Sequence, residues 1–154
     1  MEDIKKVLPK ISVITVVLNN KNTIEETINS VLNQKYPNLE YIIIDGGSTD
    51  GTIEWTKQNN YELYIQKKKG FRHAYNEVLP FVKGDAIITF SPDGNSIAEL
   101  LPNLISKFEE GYDMVIVSRY LETAKSYDDD FITAFGNWLF TKTINILHGG
   151  KYTD

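Results

Sequence analysis

Polar and charged residues follow each of five apolar, largely β-branched stretches of this 154-residue chain. In chain order they are Asn19 and Asn20, Asp45 and Ser48, Lys67 to Lys69, Ser91 with Asp93 and Asn95, and Ser118 with Arg119. Carboxylates hold hard divalent cations, and an arginine neutralises phosphate oxygens through its planar fork. The combination suits a metal-bound diphosphate, provided that the fold brings the five sets together.

Each of these residues also has an ordinary structural explanation. Asp45 is suited to cap the next helix or to close an Asx-turn, and Asp93 lies in a Pro-Asp-Gly sequence typical of turns. Arg119 is suited to pair with a neighbouring carboxylate, and the run 67–69 is typical of a solvated loop. Composition alone does not choose between binding and structure.

Composition does exclude several other kinds of site. The chain has no cysteine and only two histidines, so the usual nitrogen and sulfur ligands of a zinc site are lacking. It contains neither a G-x-S-x-G nucleophile elbow nor a G-x-x-x-x-G-K-[ST] phosphate loop. The formal net charge of −5 gives no reason to expect a nucleic-acid partner.

An alternation of strands and helices must position the polar sets. Apolar runs predict strands at 11–17, 39–44, 62–66, 85–90 and 114–117. Helical spacing predicts a first helix that begins at Thr23 and stops at Tyr36-Pro37, and further helices at 52–58, 71–82, 97–110 and 131–148. A T-x-x-E pattern at Thr23 indicates a capping box at the start of the first helix. The alternation predicts one α/β domain over 1–154, with a mostly parallel sheet between two helical layers. Ligands bind beyond the carboxyl ends of such strands, so the five sets are expected on one rim.

Three motifs carry a resemblance to a known family. They are ISVITVVLNN at 11–20, SVLNQ at 30–34 followed by Tyr36-Pro37, and IDGGSTDGT at 44–52. In this combination and spacing they resemble family-2 glycosyltransferases, which implies the Rossmann-like GT-A fold and transfer of a sugar from a nucleotide-diphosphate donor, usually with inversion. Ser91-Pro92-Asp93 and VSRY at 117–120 are similar to the dolichol- or polyprenyl-phosphate mannosyltransferase branch.

The resemblance implies a role for each part of the chain. It implies an N-terminal extension at 1–10, a nucleotide-binding half at 11–90 and a partial acceptor half at 91–154. The implied donor-binding residues are Asn20, Asp45, Ser48, Lys69, Gly70, Ser91, Asp93 and Arg119. Asp93 and Asn95 are implied to hold Mg²⁺ or Mn²⁺, and Asp93 and Arg119 are implied to be catalytic.

Two departures from the family pattern keep an alternative open. Ser91 replaces the first aspartate of the Asp-x-Asp motif, which removes one anionic metal ligand. The chain also ends where family members continue for another strand and helix, so we expect a C-terminally short form. Two functions therefore stay open. One is a transferase whose acceptor is a polyprenyl phosphate or a growing glycan. The alternative is a nucleotide-sugar-binding domain without transferase activity.

The last predicted helix, 131–148, is strongly apolar and contains Lys142 as its one charged side chain. It is expected to lie on a membrane surface, in a core or in a homodimer interface. The first ten residues lack the apolar core that is typical of a secretory signal, and no apolar run reaches the length of a bilayer span. We therefore expect a cytoplasmic protein, with peripheral contact at the cytoplasmic membrane face as the alternative.

Overall fold

The computed structural model describes residues 7–118 and 130–152. The chain forms two compact units, and the boundary between them falls between Glu110 and Gly111. The helices and strands of the first unit are β1 (Ile11–Val17), α1 (Ile24–Leu32), β2 (Leu39–Asp45), α2 (Thr52–Gln58), β3 (Glu62–Ile65), α3 (Phe71–Val78), β4 (Ala86–Thr89) and α4 (Leu101–Glu109). In the second unit the described helix is α5 (Phe131–His148). The predicted single domain and its subdivisions stay predictions.

The described strands form one parallel sheet in the order β3-β2-β1-β4. Successive residues of a strand point to opposite faces, so each face has its own core. Val13 and Val17 of β1 pack on the face that carries α1, α2 and α4, whereas Ile14 packs with Ala74 and Val78 of α3 on the other. The predicted three-layer α/β/α architecture with a parallel sheet is confirmed.

The predicted fifth strand, 114–117, is wrong for this structure, in which these residues adopt no regular secondary structure. Met114 and Ile116 are 75% and 60% exposed. An apolar β-branched run has a high propensity for the strand conformation. A strand also needs a neighbouring strand to hydrogen-bond with and a surface to pack against.

Several helix ends also differ from prediction: the helix predicted at 97–110, for example, begins as a 3₁₀ turn over Ala98–Leu100 and is α-helical from Leu101. Thr23 does not form the expected capping box: its backbone is already α-helical, and its hydroxyl donates to the carbonyl oxygen of Asn20. The helix predicted at 71–82 ends at Val78 and continues as a 3₁₀ turn over Leu79–Phe81. Pro80 has no N–H to donate and therefore cannot extend the α-helical ladder.

A buried polar clasp joins the strands at the edge opposite the rim. The carboxylate of Glu40 accepts hydrogen bonds from the Ser12 hydroxyl, from the backbone N–H of Lys83 at 2.9 Å and from Lys10 Nζ at 3.4 Å. The backbone N–H of Gly84 donates to Ser12 Oγ at 3.0 Å. The clasp ties the start of β1 to β2 and to the segment before β4.

We expect Gly84→Ala to lower the free energy of unfolding by about 3 kcal/mol, because the site is overpacked. A Cβ at this position would lie 2.8 Å from the Ser12 nitrogen and 2.9 Å from the Ala86 oxygen, and backbone atoms have little room to move. Urea denaturation measures the change. Gly136→Ala is the control, since nothing lies within 4 Å of its Cβ position. Equal stability of Gly84→Ala and wild type would contradict the close approach.

Glu40 makes the stability of the sheet dependent on pH. Burial raises the pKa of Glu40, but the hydrogen bonds from Ser12, Lys83 and Lys10 outweigh this effect and hold it below the ordinary 4.5. A depressed folded-state pKa stabilises the fold above 4.5, and this contribution is lost as the pH falls through the folded-state value. We expect Glu40→Gln to be less stable than wild type at pH 7 and the difference to shrink towards pH 3. A difference independent of pH in urea titrations would contradict the assignment.

Candidate functional site

The carboxyl ends of the parallel strands lie at one edge of the sheet, the rim. Backbone hydrogen bonds there connect the first residue after each of β2, β3 and β4 to the neighbouring strand. Gly46 N–H donates to the carbonyl oxygen of Val17 at 2.9 Å, and Gln66 N–H donates to that of Asp45 at 2.8 Å. On the other side, Phe90 N–H donates to the carbonyl oxygen of Ile14 at 3.0 Å. The sets after the first four predicted strands therefore share one edge of the sheet, as expected.

Asp45 ends β2 and is completely buried. Its Oδ1 accepts hydrogen bonds from the backbone N–H groups of Gly47 at 2.8 Å and Ser48 at 2.6 Å, which closes the Asx-turn. Its Oδ2 has no hydrogen-bond partner. Among the described residues, no other buried side-chain nitrogen or oxygen atom lacks one. An unpaired buried oxygen is costly in a folded protein, so Asp45 Oδ2 is an acceptor that a donor from outside the chain can satisfy.

Asn19 joins the loops after β1 and β2. It has a positive φ of 56°, its backbone N–H donates to Ser48 Oγ at 2.8 Å, and its Oδ1 accepts from Thr49 N–H at 2.8 Å. No role was predicted for Asn19 beyond its place on the rim. Its type and position were the available signal, because asparagine adopts the left-handed conformation more readily than most residues.

Asn20 holds the same turn from within. Its Oδ1 accepts from Leu18 N–H at 3.0 Å, and its Nδ2 donates to Thr23 Oγ1 over a long 3.5 Å. The exposed Leu18 side chain is placed beside Gly46: a Cβ on Gly46 would lie 3.5 Å from Leu18 Cδ1. The turn thus puts an apolar surface next to the buried carboxylate.

Asp50 and Thr52 form a second connection that the sequence did not reveal. Thr52 Oγ1 accepts from Asn20 N–H at 3.0 Å and donates to Asp50 Oδ1 at 2.6 Å, while Asp50 Oδ2 accepts from Lys21 N–H at 3.0 Å. The Thr52 hydroxyl and the Lys21 N–H hold the pKa of Asp50 below its usual range. The aspartate two residues before a helix start was the available signal.

The loop after β3 carries Lys67, Lys68 and Lys69, whose side chains are exposed. Gly70 ends the loop with a φ of 112°, a conformation that glycine adopts without strain, and α3 begins directly after it. The predicted pair Lys69 and Gly70 therefore lies on the rim, adjacent to the end of β2.

The loop after β4 carries the candidate metal ligands. Asn95 N–H donates to Asp93 Oδ1 at 2.9 Å, and Ser91 N–H donates to Ser96 Oγ at 2.9 Å. Desolvation raises the pKa of Asp93, but hydrogen bonds from Asn95 and the Ser91 hydroxyl hold it below its usual range. Asp93 is thus an exposed, ionised carboxylate with a hydroxyl and an amide beside it.

Arg119, the remaining predicted site residue, lies outside the described residues. Within the described part of the chain, no group of three or more His, Cys, Asp or Glu side chains could hold a metal ion. A cation at Asp93 would therefore need oxygen ligands from another source, such as a bound diphosphate.

The chain matches the model of the family described as Glycosyl transferase family 2 over residues 12–152. Glycosyltransferase AglJ of Haloferax volcanii is 24% identical over 145 residues, which cover 94% of this chain and 47% of that protein. A Methanococcus voltae protein named dolichyl N-acetyl-alpha-D-glucosaminyl phosphate 3-beta-D-2,3-diacetamido-2,3-dideoxy-beta-D-glucuronosyltransferase is 32% identical over 108 residues, or 64% of this chain and 34% of that one.

Among solved structures, the chain is similar to glucosyl-3-phosphoglycerate synthase of Mycobacterium tuberculosis, crystallised with Mn²⁺, UDP-glucose and phosphoglyceric acid. The TM-score is 0.57 at 25% identity, and the match covers 65% of this chain and 39% of that one. Together with the parallel sheet, this likeness confirms the predicted Rossmann-like GT-A fold. The chain spans less than half the length of each of these three proteins.

Proposed function

The chain belongs to glycosyltransferase family 2, and on that premise we propose that its rim binds the nucleoside diphosphate of a nucleotide-sugar donor. The single observation that carries the proposal is the buried, unpartnered Oδ2 of Asp45. It is an acceptor at the rim where ligands of parallel α/β sheets bind. The UDP-glucose in the M. tuberculosis structure supports a donor of this class.

In this proposal the base donates an N–H to Asp45 Oδ2 and lies against the exposed Leu18 side chain. A uracil or guanine ring offers such an N–H on an edge and an apolar face for packing. Ser48 and Asn20 stay predicted nucleoside contacts. The Ser48 hydroxyl accepts from Asn19 N–H and still has its own proton to donate, and the 3.5 Å bond of Asn20 Nδ2 is weak enough to be exchanged.

The diphosphate would then face Asp93 from the side of β4. Asp93, Asn95 and the Ser91 hydroxyl offer oxygen atoms, the donor type that Mg²⁺ and Mn²⁺ prefer, so these residues fit such a cation. When bound, the cation would neutralise charge on the leaving diphosphate. Arg119 is predicted to add positive charge near the same oxygens, and the Lys69-Gly70 segment is predicted to approach the nucleotide from the side of β3.

The proposed reaction is a displacement at the anomeric carbon. An acceptor oxygen forms a bond to that carbon as the bond to the diphosphate oxygen breaks, which inverts the configuration. The chain contributes by positioning the donor and stabilising the leaving group, the roles proposed for Asp93 and Arg119. A phosphate acceptor is already anionic and needs no general base, whereas a sugar hydroxyl does.

The acceptor and its location are proposed from α5. Its large side chains are mostly exposed among the described residues; those above 50% exposure are Ile132, Phe135, Trp138, Phe140, Ile146 and Leu147. None of the described helices meets the length and hydropathy of a membrane span. Contact of 131–148 with a membrane that holds a lipid-linked acceptor, or with a second copy, stays a prediction, as does the cytoplasmic location.

Sedimentation with phospholipid vesicles and light scattering separate the two predictions for α5. Lipid binding that is lost on Trp138→Glu supports the membrane, because a charged side chain opposes insertion of the apolar surface. A dimeric mass that becomes monomeric in the same variant supports the second copy. A monomer that does not sediment with vesicles contradicts both.

A transfer assay tests the proposed function. The chain is incubated with UDP-glucose or GDP-mannose, Mn²⁺ and either vesicles containing polyprenyl phosphate or an oligosaccharide, and both released nucleoside diphosphate and glycosylated product are measured. Product that requires the lipid phosphate supports the transferase. Donor binding without product on any acceptor supports the alternative, a nucleotide-sugar-binding domain, which the single carboxylate at Asp93 favours.

A further inference from the structure

Phe71 is an exposed aromatic side chain at the first position of α3. It is 68% exposed, although phenylalanine is among the residue types that are most often buried. Gly70, which lies on the rim, directly precedes it. A single exposed apolar side chain is ordinary on a protein surface, so a role for Phe71 depends on what fixes its position and on what it faces.

Tyr75, one helical turn further along α3, fixes the position of the Phe71 ring. The two ring centroids are 5.0 Å apart and the ring planes are inclined by 70°, which is an edge-to-face contact. Tyr75 itself is half-buried against the apolar cluster that includes Ile14, and its side chain hydrogen-bonds to that of Thr89. The Phe71 ring is therefore supported on one side by a fixed residue, while most of its surface is open to solvent.

These contacts put Phe71 on the side of α3 that faces β4. Thr89 is the last residue of β4, and Asp93 lies in the loop that follows it. Because α3 begins at the rim, Phe71 lies one turn nearer to the rim than Tyr75, which contacts Thr89. The open surface of the Phe71 ring is thus at the rim on the side of β4, the side from which the diphosphate is proposed to face Asp93.

We propose that Phe71 is the surface against which the sugar ring of the donor packs. The inference rests on the proposed function. The sugar is bonded to the diphosphate, so a diphosphate that faces Asp93 brings the sugar to the same side of the rim. The C–H groups of a pyranose ring form an apolar surface of slight positive charge, which complements the negative face of an aromatic ring. A phenylalanine has no hydrogen-bonding group, so it favours the sugar ring over the phosphates.

The test compares a nucleoside diphosphate with its sugar conjugates, because the Phe71 ring is expected to contact the sugar only. Phe71→Leu keeps an apolar side chain and removes the aromatic face. We expect its affinity for the conjugate to fall about fivefold and its affinity for the diphosphate to change less than about twofold. Calorimetry with Mn²⁺ measures both, with UDP-glucose, UDP-N-acetylglucosamine and GDP-mannose as the conjugates, and the pair that wild type binds is compared.

A conservative variant and a matched control accompany Phe71→Leu. Phe71→Tyr keeps the aromatic face and should bind the conjugate like wild type. Phe81→Leu makes the same change at a residue that is 50% exposed, stacks on Tyr64 at 4.9 Å and lies beyond the opposite end of α3. It should bind both ligands like wild type. Because the Phe71 side chain is mostly exposed, the thermal unfolding midpoint of Phe71→Leu should stay close to that of wild type.

The possible failures are distinguishable. If wild type binds neither a nucleoside diphosphate nor a conjugate, the proposed function fails. If wild type binds both, but Phe71→Leu leaves the affinity for the conjugate unchanged, the role of Phe71 is overturned. An equal loss of affinity for the diphosphate and its conjugate would also overturn it, because the ring would then contact the nucleotide. So would a wild type that binds a diphosphate but none of its conjugates, since no sugar would then be held at the rim.

Discussion

Asp45→Asn should abolish most nucleotide binding while leaving the fold intact. The amide oxygen can replace Oδ1 and accept from Gly47 and Ser48 N–H, so the Asx-turn is kept. The amide NH₂ then occupies the place of the unpartnered Oδ2, so that an N–H donor of the protein faces the N–H donor of the base. Loss of the hydrogen bond plus this mismatch predicts a fall in affinity of about 100-fold.

The same substitution should raise the stability of the unliganded protein. A buried carboxylate oxygen without a partner destabilises the folded state more than a neutral amide does. Thermal unfolding measured without nucleotide should give a higher midpoint for Asp45→Asn than for wild type. The control is Asp113→Asn, an exposed residue with the same change of charge. An unchanged affinity together with a lowered midpoint would show that Asp45 has only a structural role.

Asp93→Asn should remove the part of donor binding that depends on a divalent metal. The amide oxygen can still accept from Asn95 N–H, so the turn is kept, but the anionic ligand is lost. Because Asp93 is ionised and is the aspartate retained in the Ser91-Pro92-Asp93 motif, we expect the enhancement by Mn²⁺ to fall about tenfold or more. Calorimetry of uridine diphosphate with and without Mn²⁺ measures the change.

Ser91→Asp provides the opposite test at the same loop. It restores a second carboxylate beside Asp93, and two carboxylates bind a divalent cation more tightly than one. We expect the Mn²⁺ enhancement to increase about tenfold and, without metal, the pKa of Asp93 to rise because a like charge lies close to it. If neither Asp93→Asn nor Ser91→Asp alters the metal dependence, the candidate metal site is wrong.

Sequence patterning was sufficient for the strands and helices that form the first unit. β1 is almost entirely β-branched and α2 has clear limits, and both have the predicted bounds. The segment 114–117 has a similar apolar pattern, yet it forms no strand in this structure. Local pattern records which faces are apolar, whereas pairing depends on distant residues.

The rim was predictable for a topological reason, but its hydrogen bonds were not. Parallel strands bring their carboxyl ends together, so Asp45 and Ser48 were expected near Asn20. One oxygen of Asp45 accepts hydrogen bonds within the turn and the other has no partner. This difference depends on the backbone conformation of the turn, which the residue types alone do not predict. Asn19 was not assigned a role because it acts through its contacts with the loop after β2.

The most direct test is a calorimetric titration of uridine, guanosine and thymidine diphosphates into the chain, each with and without Mn²⁺. The proposed site predicts saturable binding of one of them with a Kd on the order of micromolar, strengthened by Mn²⁺ and lost in Asp45→Asn. Binding of none of them under either condition, by a chain whose unfolding shows it to be folded, would contradict the proposal that this rim is a nucleotide-diphosphate site.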